Sequence, residues 1–263
     1  MHRLNRNHDG YRGETIDIRG VVEECVVSAR AQGWCVEEIP AGPELKLIAL
    51  LRRGSAPQTA RNHRRVYLST GIHGDEPAGP LATRHLVREN AWPEDLDLWI
   101  CPCLNPTGFP LNRRGNARGL DLNRQYLQPT ADETRAHIAW LQRQPSFDLT
   151  FCLHEDWEAH GFYLYELNPE NRPSLAEAMI QRVAEVCPVD PSPVIEGRPA
   201  NNGIIRPSTD PRSRPQWPEA FYLLTHKTAQ SYTLEAPSDF PLATRVAALV
   251  AAVETLRQWP RPG

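Results

Sequence analysis

Long apolar runs are missing from this sequence. Nothing in it approaches the roughly 18–20 consecutive apolar residues of a membrane-spanning helix, so no membrane partner is expected. The polar opening Met1 to Gly10 lacks the apolar middle of a secretory signal. A basic block is missing too: 29 Lys and Arg face 32 Asp and Glu, for a formal charge of -3, which argues against nucleic acid as a partner. There is no internal repeat and no low-complexity tract. The six cysteines (Cys25, Cys35, Cys101, Cys103, Cys152, Cys187) are scattered, and Cys101-Pro102-Cys103 has the wrong spacing for a zinc knuckle or a thioredoxin-like pair. Buried free thiols and a cytoplasmic location are the expectation.

The 263 residues are 40% hydrophobic and 23% charged, the balance of an ordinary globular chain. That length suits a single α/β domain over 1–263. Proline is abundant, at 25 residues in the chain, and is densest between Pro188 and Pro218 and in the tail 260–263. The first cluster predicts a long irregular loop, of the kind that often forms a lid or binding wall. Residues 1–15 and 260–263 are expected to fray. Elsewhere the pattern alternates. Helices are predicted over 16–30, 77–89, 130–144, 174–187 and 241–258, and strands over 45–51, 65–70, 96–101, 148–153 and 231–234. Thr130-Ala131-Asp132-Glu133 has the form of a capping box. Strands separated by such helices imply an α/β fold: a mixed, mostly parallel central sheet with helices on both faces. Ligands bind such sheets beyond the carboxyl ends of the strands.

Polar residues fall where those ends should be. His73 and Glu76 leave the strand ending at Thr70 three positions apart, so one turn presents an imidazole and a carboxylate on the same side. His154 closes the strand Phe151-Cys152-Leu153 and completes a His-Glu-His set, three protein ligands with one position open for water. Between them lie Asn105-Pro106-Thr107-Gly108 and the segment from Arg113 to Arg124. That segment reads either as an anion-binding loop or as a solvated basic stretch. Asp121 can hold the second nitrogen of a ligand imidazole, and Asn123 with Arg124 can grip a carboxylate. Glu235 ends the strand Ser231-Tyr232-Thr233-Leu234 and can serve as a proton carrier.

In this order the motifs resemble the zinc carboxypeptidases of the carboxypeptidase A type, over roughly Tyr67 to Glu235. The bacterial cytosolic branch that includes the murein peptide amidases is the most similar. The resemblance implies a zinc carboxypeptidase-like α/β/α sandwich holding one Zn2+ per chain through His73, Glu76 and His154. It implies a substrate-carboxylate clamp of Asn123 and Arg124, an oxyanion-stabilising Arg114, Asp121 behind His73, and Glu235 as base and then acid. Tyr222 is the candidate for the lid tyrosine of the family. The implied activity is hydrolysis of an amide bond beside a free carboxylate in a small peptide. The chain departs from the secreted enzymes at Gln125-Tyr126, and the run Glu155 to His160 is unusually acidic, which reads as a solvated turn.

Two other readings use the same residues. The aspartoacylase and succinylglutamate desuccinylase branch shares the ligand set but acts on N-acyl amino acids. The nine-residue step from Arg114 to Asn123 and the short stretch after Glu235 favour the peptidase side. A non-catalytic module recognising peptide termini would predict a broken ligand set, whereas all five positions are filled. The pattern leaves oligomeric state and side-chain preference open.

Overall fold

The computed structural model describes residues 2–7, 13–56 and 63–259. Its strands are Cys35–Pro40 (β1), Lys46–Arg52 (β2), Arg64–Thr70 (β3), Leu96–Cys101 (β4), Leu149–Asp156 (β5), Tyr163–Leu167 (β6), Val194–Ile195 (β7), Arg198–Pro199 (β8), Ile204–Ile205 (β9) and Ser231–Pro237 (β10). The α-helices are Ile18–Ala31 (α1), Ala78–Glu89 (α2), Asp132–Arg143 (α3), Ala176–Val183 (α4), Glu219–His226 (α5) and Leu242–Glu254 (α6). Eight strands form one sheet in the order β1-β2-β4-β3-β5-β10-β6-β9, and β7 and β8 form a separate hairpin. At the centre β4, β3, β5 and β10 are parallel neighbours. The joins β1–β2, β2–β4 and β10–β6 are antiparallel. This is the mixed α/β sheet that the sequence pattern implies.

The central strands are mostly apolar and almost wholly buried because both sheet faces are covered; all six residues of β4 are buried. Alternation still sorts their side chains between two cores. Val66, Leu68, Leu98, Ile100, Phe151 and Leu153 join the core that contains Cys25, Leu86, Met179 and Leu249, from α1, α2, α4 and α6. Their neighbours Tyr67, Trp99 and Cys152 join Trp140 and Phe221, from α3 and α5, on the other side. In α1 the buried residues Ile18, Val21, Cys25 and Ala29 follow the helical period, and the Asp17 carboxylate accepts from the Gly20 N–H at its start.

Several expectations change. β1, β6 and α5 lie outside the predicted set. The capping box does not form: α3 starts at Asp132 with no side-chain cap, while the Thr130 N–H and hydroxyl both donate to Gln125 Oε1. Glu133 turns inward instead and accepts from Asn116 and Thr107, since buried donors need a partner more than a solvent-facing cap does. The stretch 188–218 is less irregular than its proline content implies, because it contains the β7–β8 hairpin and β9, which pairs with β6. Residues 2–7 are tied down rather than frayed. The Leu4 N–H donates to the Asp239 carbonyl at 2.7 Å, and the Asn5 and Arg6 N–H groups donate to the Asp239 carboxylate. The expectations for residues 1, 8–12 and 260–263 lie outside the described residues.

All six cysteines are free thiols, five of them buried and Cys35 exposed. Burial pushes the Cys25 and Cys103 thiols up to about 12. Among the described residues no helix is long and apolar enough to cross a membrane.

Candidate metal centre

The parallel strands deliver their carboxyl ends to one edge, and the loops leaving that edge are braced before they present any chemistry. The Asn105 side chain donates to the carbonyls of Ile72 and Arg114 and accepts from the Gly108 N–H. One amide thereby ties together the loops that carry His73, Arg114 and Gly108. A Cβ on Gly74 would lie 2.3 Å from the Gly108 backbone carbon, so this close crossing requires glycine.

His73 and Glu76 sit in the turn that leads into α2, not on the helix itself. His73 Nδ1 meets Glu76 Oε1 at 2.5 Å. His154 projects from β5 on the same face as Cys152 and Asp156, and its Nδ1 meets Glu76 Oε2 at 3.0 Å. The two imidazole centroids are 5.0 Å apart. All three side chains are buried, and one nitrogen or oxygen from each lies within 4.8 Å of the others. Two imidazoles and one carboxylate gathered in a low-dielectric nest are the donor chemistry of a divalent transition-metal site. The outer contacts agree: Asp121 Oδ1 takes His73 Nε2 at 3.3 Å, which turns Nδ1 inward. The residues present fit a metal ion.

Asp121 reaches further than His73. Its second oxygen accepts from Arg114 Nε at 2.9 Å, and its first also accepts the Asn123 N–H at 2.9 Å. Burial opposes ionisation of Asp121, but the His73 hydrogen bond and the charges of His73, Arg114 and Arg124 outweigh it and hold the carboxyl low. Glu76 behaves alike, with burial overcome by the two imidazoles. The Asn123 side-chain oxygen accepts from the Glu219 N–H at the start of α5, 2.8 Å away. Its NH2 is therefore the group that this contact leaves unused.

Glu235 pairs in register with His154 across β10 and β5. Together with Thr233 it faces a cavity of about 610 Å³ that is also lined by His73, Glu76, Arg114, Asn123, Arg124 and His154. Desolvation pushes the Glu235 carboxyl up to about 8; His154 and Arg114 oppose this, while Glu76 and Asp156 add to it. Asp121 stands behind the lining, as its contacts require.

Tyr222 is a correction. It is buried on α5 against Tyr126 and His226, with centroids 5.8 and 4.7 Å away, and it does not line the cavity. Its position on the apolar face of a helix that sequence reading left out sends it into the core. The cavity tyrosines are instead Tyr163 and Tyr165 of β6, whose alternate spacing was the available signal. The acidic run after His154 is a solvated turn only in its second half, where Glu158 and His160 are exposed; its first two residues still belong to β5. Buried Glu155 accepts from the α2 residue Ala78 N–H and pairs with Arg245, and Asp156 accepts from Tyr163 OH. Glu196 at the hairpin tip, with Arg198 and Arg214, also lines the cavity, and no sequence pattern marked these three.

Residues 62–190 match the family model of the succinylglutamate desuccinylase/aspartoacylase catalytic domain. Carboxypeptidase SOL1 of Arabidopsis thaliana is 33% identical over 107 residues, 32% of this chain and 21% of that protein. Carboxypeptidase D of Anas platyrhynchos is 33% identical over 150 residues, 41% of this chain and 11% of that protein. The matches thus span only a minor part of these longer relatives. In fold, a candidate metallopeptidase from Shewanella amazonensis SB2B superimposes with a TM-score of 0.76 at 22% identity, covering 91% of this chain and 92% of that one. The sequence matches cover part of the chain and the fold is shared along most of it, so the chain is similar to metallocarboxypeptidase-like proteins and to the desuccinylase/aspartoacylase catalytic domain.

Proposed function

We propose that the protein is a zinc-dependent hydrolase, formed by one catalytic domain, that cleaves an amide bond beside a free carboxylate in a small peptide or peptide-like substrate. The observation that carries this reading is the convergence of His73, Glu76 and His154 with Glu235 in a single cavity. In this reading His73, Glu76 and His154 hold the ion. Zinc bound there would supply Lewis acidity, polarising the scissile carbonyl and lowering the pKa of the attacking water.

The chain's own groups do the rest. Glu235 accepts the proton of the attacking water and returns it to the departing nitrogen. Arg114, aimed by Asp121, donates to the carbonyl oxygen as negative charge develops there; a preorganised donor of this kind is typically worth ~3 kcal/mol of barrier. The Asn123 NH2 and the Arg124 guanidinium hold the substrate carboxylate and so set which bond lies beside Glu235. The absence of disulfides among the described cysteines supports a cytoplasmic location as part of the same proposal, which cell fractionation tests.

The family model favours one second reading, deacylation of N-acyl amino acids. A screen of zinc-loaded protein against free-acid dipeptides, γ-glutamyl-diaminopimelate peptides and N-acyl amino acids separates the two. Turnover of free-acid peptides but not their amides, lost on chelation and restored by zinc, is expected. Preference for N-acyl amino acids selects the deacylase, and no turnover of any class refutes both.

A further inference from the structure

A buried carboxylate that the proposed chemistry does not use lies beside the cavity. Glu219, the first residue of α5, is only 1% exposed, while its chain neighbours Pro218, Ala220 and Phe221 line the cavity. Two neutral hydroxyls of β3 hold its carboxylate: Tyr67 OH donates to Oε1 at 2.9 Å and Ser69 Oγ to Oε2 at 2.8 Å. Burial pushes the carboxyl up, with Ser69, Tyr67 and His154 opposing. These donors fix a direction of hydrogen bonding. Tyr67 spends its one proton on Glu219, so its oxygen takes the proton of His137 Nε2, 2.8 Å away. His137 Nδ1 is then bare and accepts the Tyr126 hydroxyl at 2.7 Å. Tyr126 follows Arg124 by two residues, and its N–H donates to the Trp217 carbonyl at 3.2 Å. Asn123 Oδ1, at the other end of the same short segment, accepts the Glu219 N–H at 2.8 Å. Residues 123–126 and the start of α5 are thus joined twice, and the Glu219 carboxylate closes the circuit through β3.

This circuit decides which end of the Asn123 amide meets a ligand. An asparagine amide turns end for end with almost no change of shape, so only its hydrogen-bond partners select one orientation. Here the selector is the Glu219 N–H, because the turned amide would set its NH2 against that donor. The position of the N–H in turn depends on anchorage: α5 has eight residues and no side-chain cap, too few to hold a helix without tertiary contacts. We propose that Glu219 is a positioning residue of the carboxylate clamp, its side chain anchored on Tyr67 and Ser69 so that its N–H keeps the Asn123 NH2 turned toward the cavity. The assignment rests on the hydrolase reading only for the identity of the group that Asn123 binds. Glu219 itself touches no substrate in this role.

The test measures kcat and KM separately for zinc-loaded protein on the free-acid peptide N-acetyl-Ala-Ala. Glu219→Ala should raise KM by about 10- to 100-fold, the effect of setting a buried donor against a donor, with kcat lowered by less than about threefold. Glu219→Gln, whose oxygen still accepts from Tyr67 and whose NH2 donates to Ser69 Oγ, should recover most of that loss. In an Asn123→Ala background, Glu219→Ala should raise KM by less than about twofold, because the group it positions is gone. An unchanged KM in Glu219→Ala, a Glu219→Gln variant as impaired as Glu219→Ala, or additive effects with Asn123→Ala each overturn the assignment. Should Glu219→Ala fail to fold, Ser69→Ala removes one of the two anchors and should raise KM by about 3- to 10-fold; an unchanged KM there overturns the assignment as well. A second readout needs no turnover. The side-chain NH2 resonances of Asn123, identified by their loss in Asn123→Ala, should move when propionate is added to the parent and stay still in Glu219→Ala. That result without peptide hydrolysis removes the hydrolase reading and leaves the positioning role standing. Hydrolysis with equal resonance shifts in parent and variant does the reverse, and no movement in the parent overturns the assignment.

Discussion

Asp121→Asn tests how the centre is held together, because one carboxylate serves three partners. Oδ1 takes His73 Nε2 at 3.3 Å and the Asn123 N–H at 2.9 Å, and Oδ2 takes Arg114 Nε at 2.9 Å. Asparagine has a single acceptor oxygen. If that oxygen keeps the two contacts on the His73 side, the new NH2 faces the Arg114 N–H, donor against donor, and Arg114 is released. The remaining bond to His73 also loses its charge. Removing such an outer partner typically costs 10- to 100-fold in metal affinity, about 1.4–2.7 kcal/mol. Global stability should change by no more than about 1 kcal/mol, since the Asp121 side chain is 28% exposed and its ion pairs are partly screened. Competition between the metal-free protein and a chelator of known zinc affinity measures the first quantity, and a urea melt measures the second. A folded variant whose zinc affinity stays within about twofold of the parent would refute the argument that Asp121 orients the ligand imidazole.

Three further outcomes are expected. Glu235→Gln keeps the side-chain shape but loses the basic carboxylate oxygen, and should retain zinc while turnover falls by about 10²- to 10⁴-fold; unchanged kinetics would remove Glu235 from the proton-carrying role. Arg124→Ala should weaken kcat/KM on free-acid peptides by about 10- to 100-fold and leave amidated peptides as poor as before; a parent enzyme that already treats both alike contradicts the clamp. His137 provides a pH prediction away from the metal. It is buried between Tyr67 OH and Tyr126 OH, and burial lowers its pKa from 6.5 to about 3. Below pH 6.5 the unfolded chain takes up a proton that the folded chain refuses, so this contribution is complete above 6.5 and is lost as pH falls toward 3. The loss should reach about 2 kcal/mol by pH 5. His137→Gln should flatten that slope in denaturant melts, and identical slopes for parent and variant would show that His137 is not its source.

The strands that carry candidate site residues were legible because burial on both faces forces a mostly apolar run, and a polar residue ending such a run is conspicuous; His154 and Glu235 are of this kind. The His73–Glu76 pair was legible from spacing, although a turn rather than a helix presents it. Tyr163 and Tyr165 were missed with β6, a five-residue strand whose alternation is too short to stand out. Tyr222 was misplaced because distance along the chain from Glu235 carries no information on which face of α5 points inward. The capping box failed because Glu133 had a stronger claim from Asn116 and Thr107, two partners brought to it only by folding.

Residue order alone determined the α/β architecture, the lack of a membrane-length apolar run and the set of metal-capable donors, since periodicity and donor chemistry are local properties. Only the tertiary structure decided that Asp121 links His73, Arg114 and Asn123, that Glu155 is a buried partner of Arg245 rather than a solvated turn, and that Arg124, Arg198 and Arg214 share one cavity. Those facts depend on through-space distance between segments up to 90 residues apart. Charges act over ångströms of space, whatever their separation along the chain.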